Sequence, residues 1–142
     1  MKPRTLLFAY QLLTGASDTS TGVLLLVAPT LTLRLMHLHA APDTLPFLSY
    51  IGAFVLSVGI ACFYGAWLTT LHHFAAKLEV VWLLTAITRA SVALFVLASV
   101  STRALEPGWI TVALSDGAFA LIQFTGLARG WLTRGWLRDA LS

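Results

Sequence analysis

Charge is what this sequence has least of. Asp, Glu, Lys and Arg make up 11% of its 142 residues, against about 25% in an ordinary soluble domain. That scarcity excludes a water-exposed surface over most of the chain. Cysteine is nearly absent too: Cys62 stands alone, which rules out an internal disulfide and a cysteine-cluster metal site. It reads as a small packing residue within an apolar run. There is no Gly-rich phosphate loop, no Ser-His-Asp set and no Cys-x-x-Cys pair. Hydroxyls in the TGASDTSTG run include candidate nucleophiles, but Asp18 is the sole activating base beside them. Enzyme activity therefore finds no support.

What remains is apolar. Hydrophobic residues are 58% of the chain, the mean hydropathy is +0.83, and four apolar runs each reach the length of roughly 20 residues that a helix needs to cross about 30 Å of hydrocarbon. They lie at about Leu6 to Ala28, Phe47 to Leu68, Leu78 to Val100 and Trp109 to Leu127. The expected fold is a single all-α domain over residues 1–142, a four-transmembrane-helix bundle with an interfacial tail at 128–142. The N-terminal stretch also resembles a secretory signal with a small-residue cleavage site after Ala16. The apolar pattern resumes after Thr21, however, for long enough to complete a span, so 6–28 is expected as a retained helix.

Orientation follows from positive charge. Lys2, Arg4, Lys77, Arg129, Arg134 and Arg138 fall on the side of the termini, Arg34 and Arg103 fall opposite, and Arg89 lies within a span. Both termini are thus expected in the cytoplasm of a bacterial cell, the protein being multi-pass in its cytoplasmic (inner) membrane. The net charge of +3 reflects this bias and calls for no nucleic acid. An interfacial aromatic belt is expected at Tyr50 and Trp109 outside and at Tyr64, Trp67 and Trp82 inside. The tail repeats the tetrad RGWL, combining Trp131, Trp136, Arg134 and Arg138. Such a mixture suits either an amphipathic segment on an anionic leaflet or a basic stop-transfer flank. Between the first two spans, Leu31, Leu35 and Leu38 suit a short interfacial helix between Pro29 and Pro42, and Pro46 suits the first turn of the second span.

Two polar patterns interrupt the apolar runs. In the second span Ala53, Ser57, Ala61 and Gly65 recur every four residues, with Gly52 and Gly59 nearby; such a stripe is expected to be the helix-packing face. Gln11, Thr14, Asp18 and Thr21 share one face of the first span, and Asp116, Ala120 and Gln123 share one face of the fourth. Because these helices run antiparallel, Gln11 should meet the level of Gln123, and Asp18 that of Asp116. A rise of about 1.5 Å per residue puts Asp18 roughly 18 Å deep, Arg89 roughly 16 Å and Asp116 roughly 19 Å, in one layer near the midplane.

A central charge costs about 2.5–3.5 kcal/mol to insert, and one Arg between carboxylates recovers charge-assisted bonds that lipid cannot offer. Thr85, one turn before Arg89, is placed to help satisfy this layer, and a hydrogen bond between Gln11 and Gln123 is expected beneath it. Two acids against one base leave a surplus carboxylate, which should be protonated or bind something positive or hydrogen-bonding. The layer has two readings: a structural clamp fixing which helices meet, or a site for a ligand or proton. The histidines divide into His37 with His39 outside and His72 with His73 inside, about a bilayer apart. Only a small outer group of His37, His39 and Asp43 stays open as a metal set; no metal and no resident cofactor are expected, and quinone or lipid are the candidate ligands.

The four-span plan, the T-G-x-L-L-L-x-x-P run at Thr21 to Pro29, Arg89 in the third span and Asp116 in the fourth resemble the DoxX-like small bacterial membrane proteins over the whole length. That resemblance implies an accessory role in a membrane redox complex and brings no site residues with it. The function expected first is a non-catalytic subunit or partner-binding, anchoring component of a larger membrane complex, its partners being lipid and other membrane subunits or copies of itself. The alternative is a small-molecule, quinone or proton-handling protein using Asp18, Arg89 and Asp116; a membrane-embedded enzyme comes last.

Overall fold

The computed structural model describes residues 3–133, and among them the regular structure is entirely helical. Four long helices, α1 (Pro3–Val27), α3 (Leu45–Leu68), α4 (Ala75–Ser101) and α5 (Ile110–Ala128), are joined by short connections, with a small α2 (Pro29–Leu35) between the first two. Their limits agree with the expected spans to within a few residues. Among the described residues, three segments are long and apolar enough to cross a membrane: Pro42–Leu68, Ala75–Ser101 and Pro107–Ala128. α1 is as long at 25 residues, but Gln11, Thr14, Asp18, Thr19, Ser20 and Thr21 dilute its apolar content.

Local chemistry explains the boundaries. Pro29 cannot continue α1 and disfavours helical backbone at Ala28, whose φ of −146° and ψ of 58° break the chain direction before α2 starts. Pro46 lies in the first turn of α3, and a 3-10 turn at Pro107–Trp109 leads into α5. α2 and α4 both end on a left-handed residue, His37 (φ 55°) and Arg103 (φ 61°). In each, the next amide reaches back five residues, Leu38 to Leu33 at 2.9 Å and Ala104 to Ser99 at 2.8 Å, so the last carbonyls are satisfied without glycine.

The long helices pack as two pairs, α1 with α3 and α4 with α5, with α3 also touching α4. The α1–α3 seam corrects the expected packing stripe. Ala53 and Ser57 are exposed and Ala61 is half-buried; only Gly65 of that set is buried. Instead Gly52 and Gly59 face α1, where they interlock with Gly22 and Gly15. The reason is angular: steps of four residues drift by about 40° each, so Gly65 lies about 120° around the helix from Ala53, whereas steps of seven drift by only about 20°. Each helix thus carries a Gly-x6-Gly pair along one line. A Cβ at Gly22 would lie 2.5 Å from the Leu56 amide nitrogen and 2.7 Å from its Cα, and one at Gly59 would lie 2.6 Å from the Thr19 nitrogen. Backbone meets backbone here, so no side chain fits.

Apolar clusters close both ends. Toward the chain termini, Leu68, Phe74, Leu78, Trp82 and Leu132 are all at most 2% exposed; at the other end Leu33, Leu38 and Leu48 are buried, with Met36, Leu45 and Trp109 against them. Leu38 therefore points inward, while Leu31 and Leu35 stay exposed. Trp82 is the second correction: expected in the interfacial belt, it is 2% exposed at the centre of the first cluster, because its face of α4 turns inward with Leu78 and Thr85. Trp67 (54% exposed) and Tyr64 are exposed, their rings tilted with centroids 5.6 Å apart. Trp109 is half-buried, and Trp131 is exposed. Trp136, Arg134 and Arg138 lie outside the described residues. In single-tryptophan variants reconstituted with brominated lipid, Trp67 fluorescence should be quenched severalfold more strongly than that of Trp82; equal quenching would contradict this placement.

Candidate functional site

The three charges predicted to share a layer do meet. Arg89 on α4 donates from Nη1 to Asp116 Oδ1 of α5 at 2.8 Å, and from Nη2 to Asp18 Oδ2 of α1. Its side chain is 4% exposed, against 14% for Asp18 and 21% for Asp116. The guanidinium also lies over the Phe119 ring, 4.9 Å from its centroid, where the negative ring face favours a cation. Phe119 follows Asp116 by one turn, so α5 supplies both the carboxylate and the aromatic platform. Arg89 thereby joins the two helix pairs: α1, packed on α3, and α5, packed on α4, are held by one side chain. Charge-assisted bonds of this kind are about twice as strong as neutral ones.

One turn or more toward the chain termini lies a second, uncharged shell, and here the expected pairing fails. Gln123 Nε2 donates to Thr85 Oγ1 at 2.9 Å instead of meeting Gln11. Thr85 therefore serves Gln123 rather than the ionic layer, while its own hydroxyl donates to the Val81 carbonyl at 2.7 Å. Thr14 donates to the Tyr10 carbonyl at 2.9 Å. Both amide atoms of Gln11, the Gln123 Oε1, the Tyr10 hydroxyl, the Trp82 Nε1 and the Arg89 Nε are buried and find no partner in the protein. An orphaned buried polar group costs about 1–3 kcal/mol, so the shell is unusually rich in unmet hydrogen-bonding capacity.

Sequence reasoning missed three contributors. Tyr10, whose ring lies 5.5 Å from that of Trp82 and 6.2 Å from that of Phe119, reads in sequence like any other aromatic of an apolar run. Cys62 is fully buried beside Thr14 and Arg89, not a mere filler on a remote face. Phe119 carries a signal that could have been used, since a position three residues after Asp116 shares its face.

The outer histidines do not assemble a metal set. His39 pairs with Glu106, its backbone amide donating to Oε2 at 3.2 Å and its Nδ1 lying 3.7 Å from Oε1, which ties the α2–α3 connection to the α4–α5 connection. Among the described residues no group of three His, Cys, Asp or Glu side chains could hold a metal ion.

No family model, no curated protein and no solved structure matches this chain.

Proposed function

We propose that the chain is a four-transmembrane-helix bundle of a bacterial cytoplasmic membrane, both termini inside, acting as a non-catalytic subunit that binds and anchors membrane partners. One observation carries this reading: the terminal guanidinium nitrogens of Arg89 each engage one carboxylate of the ionic layer. A layer bonded to itself joins helices, with both terminal nitrogens of its cation engaged by carboxylates. Arg89 of α4 pairs with Asp18 of α1, which supports counting α1 with the three more apolar helices. The positive residues Arg4, Lys77 and Arg129 at one end support a cytoplasmic placement of that end.

The outward faces supply the partner surface. Tyr50, Phe54, Ile60 and Tyr64 on α3, and Leu83, Leu84, Ile87, Leu94 and Phe95 on α4, are exposed, which suits lipid. Ala53 and Ser57 interrupt the α3 face with small side chains that would let another transmembrane helix approach closely. The DoxX-like resemblance, with its accessory role in a redox complex, points the same way.

Cysteine cross-linking in native membranes tests the reading in a Cys62→Ala background. Ser57→Cys should give a discrete adduct with one membrane protein, or with a second copy of the chain, at several times the yield of Leu97→Cys on the outer face of α4. Equal yields, together with a monomer of unchanged mass in native mass spectrometry, would contradict it.

A further inference from the structure

The uncharged shell carries several buried polar atoms that bond nothing in the protein. Gln11 is 0% exposed and Gln123 1%. The sequence contains no Asn and no other Gln, so both side-chain amides of the chain are buried. Gly65 keeps room for the first: a Cβ there would collide with Gln11 Nε2 and come within 3.0 Å of its Cδ. An amide wanted only for packing would be replaced by leucine at no loss, and an amide wanted as a helix clamp would be bonded across the interface. Gln11 does neither, since both its nitrogen and its oxygen lack a protein partner.

The unmet groups are of both kinds. Tyr10 Oη, Trp82 Nε1, Gln11 Nε2 and Arg89 Nε can donate, while Gln11 Oε1, Gln123 Oε1 and Tyr10 Oη can accept. A mixed set of this sort matches an uncharged guest that donates and accepts at once. An anion would find the Gln123 and Gln11 carbonyls opposed to it, and a cation would find Arg89. Toward the chain termini the shell is capped by Leu68, Phe74, Leu78 and Leu132, none above 1% exposed. On its other side lies the ionic layer, whose carboxylates keep 14% and 21% exposure.

We propose that the shell formed by Tyr10, Gln11, Trp82 and Gln123 beneath Arg89 is a binding site for a small uncharged molecule that both donates and accepts hydrogen bonds. Its chemistry is that of water or of the hydroxyl-bearing end of a membrane-soluble compound. This goes beyond the subunit reading and does not depend on it, because a partner-binding protein and a free one would hold the same guest.

The two amides make the test direct. In uniformly 15N-labelled protein in lipid bilayers, the side-chain carboxamide resonances belong to Gln11 and Gln123 alone. If water is the guest, polarisation transferred from water should reach these amides within a few-fold of the time it takes to reach exposed backbone sites. If the guest is membrane-soluble, transfer from water stays slow, but organic extraction followed by mass spectrometry should recover one neutral hydroxyl compound near stoichiometry, and its removal should shift both amide resonances. A Gln11→Leu variant that keeps the fold should retain at least several-fold less of the guest. Amides that receive no polarisation from water, in a protein that yields no compound on extraction, would overturn the proposal. Measurement on the native chain keeps the test valid even if Gln11→Leu fails to fold.

Discussion

Replacing Arg89 with methionine should destabilise the protein more than removing every charge in the layer at once. Methionine fills much of the arginine volume but leaves Asp18 and Asp116 facing each other without the cation that each now contacts. Breaking a buried ion pair from one side typically costs about 3–5 kcal/mol, because the remaining charge is stranded, whereas replacing a whole buried charge group with neutral residues is often close to neutral. Arg89→Met alone should therefore fall in the 3–5 kcal/mol range, and the triple variant carrying Asp18→Asn and Asp116→Asn as well should recover most of that loss. Asp18→Asn by itself should cost less than Arg89→Met, since Arg89 keeps Asp116. Reversible unfolding in mixed detergent and SDS micelles measures all of these. A triple variant as unstable as Arg89→Met would mean that the arginine contributes through packing on Phe119 and Cys62, not through charge.

That layer was legible in the sequence because it depends on depth alone. Asp18, Arg89 and Asp116 are each rare charges in apolar runs, and a constant rise per residue puts them at one level whatever the rotation of each helix. The limits around the first connection were readable for a similar reason, since Pro29, Pro42 and Pro46 punctuate the chain independently of packing. Contacts that depend on rotation were not readable. The stripe through Ala53, Ser57 and Ala61 was misplaced because a four-residue spacing winds around the helix, while the seven-residue spacing of Gly15 with Gly22 and of Gly52 with Gly59 does not. Trp82 was misplaced because depth near a membrane boundary says nothing about whether a ring faces lipid or the interior. The bonding of Gln11 and Gln123 was not readable either: Gln123 donates to Thr85 of α4, and the Gln11 amide bonds nothing in the protein.

The glycine seam gives the second large effect. Gly59→Leu and Gly22→Leu should each lower stability by an amount at or above the top of the about 1–3 kcal/mol range usual for overpacking, because the atoms in the way are backbone. The Cβ alone of a residue at 22 would lie 2.5–2.8 Å from Leu56 nitrogen, Cα and Cβ, and backbone of one helix cannot yield without moving the whole of α3. Gly59 has a further consequence. It bears on Thr19, the residue after Asp18, so a side chain there pushes α1 outward at the level where Asp18 reaches Arg89. The loss from Gly59→Leu should then overlap with that from Arg89→Met, the double variant costing clearly less than the two single losses added together, as expected for sites in one network. Ala53→Leu supplies the control: a residue of the same helix, six positions away and exposed, where a larger apolar side chain should change stability by less than about 0.5 kcal/mol. Unfolding midpoints for the four single variants and the double decide the matter. If Ala53→Leu is as damaging as Gly59→Leu, α1 and α3 meet on the four-residue stripe instead of the glycine line.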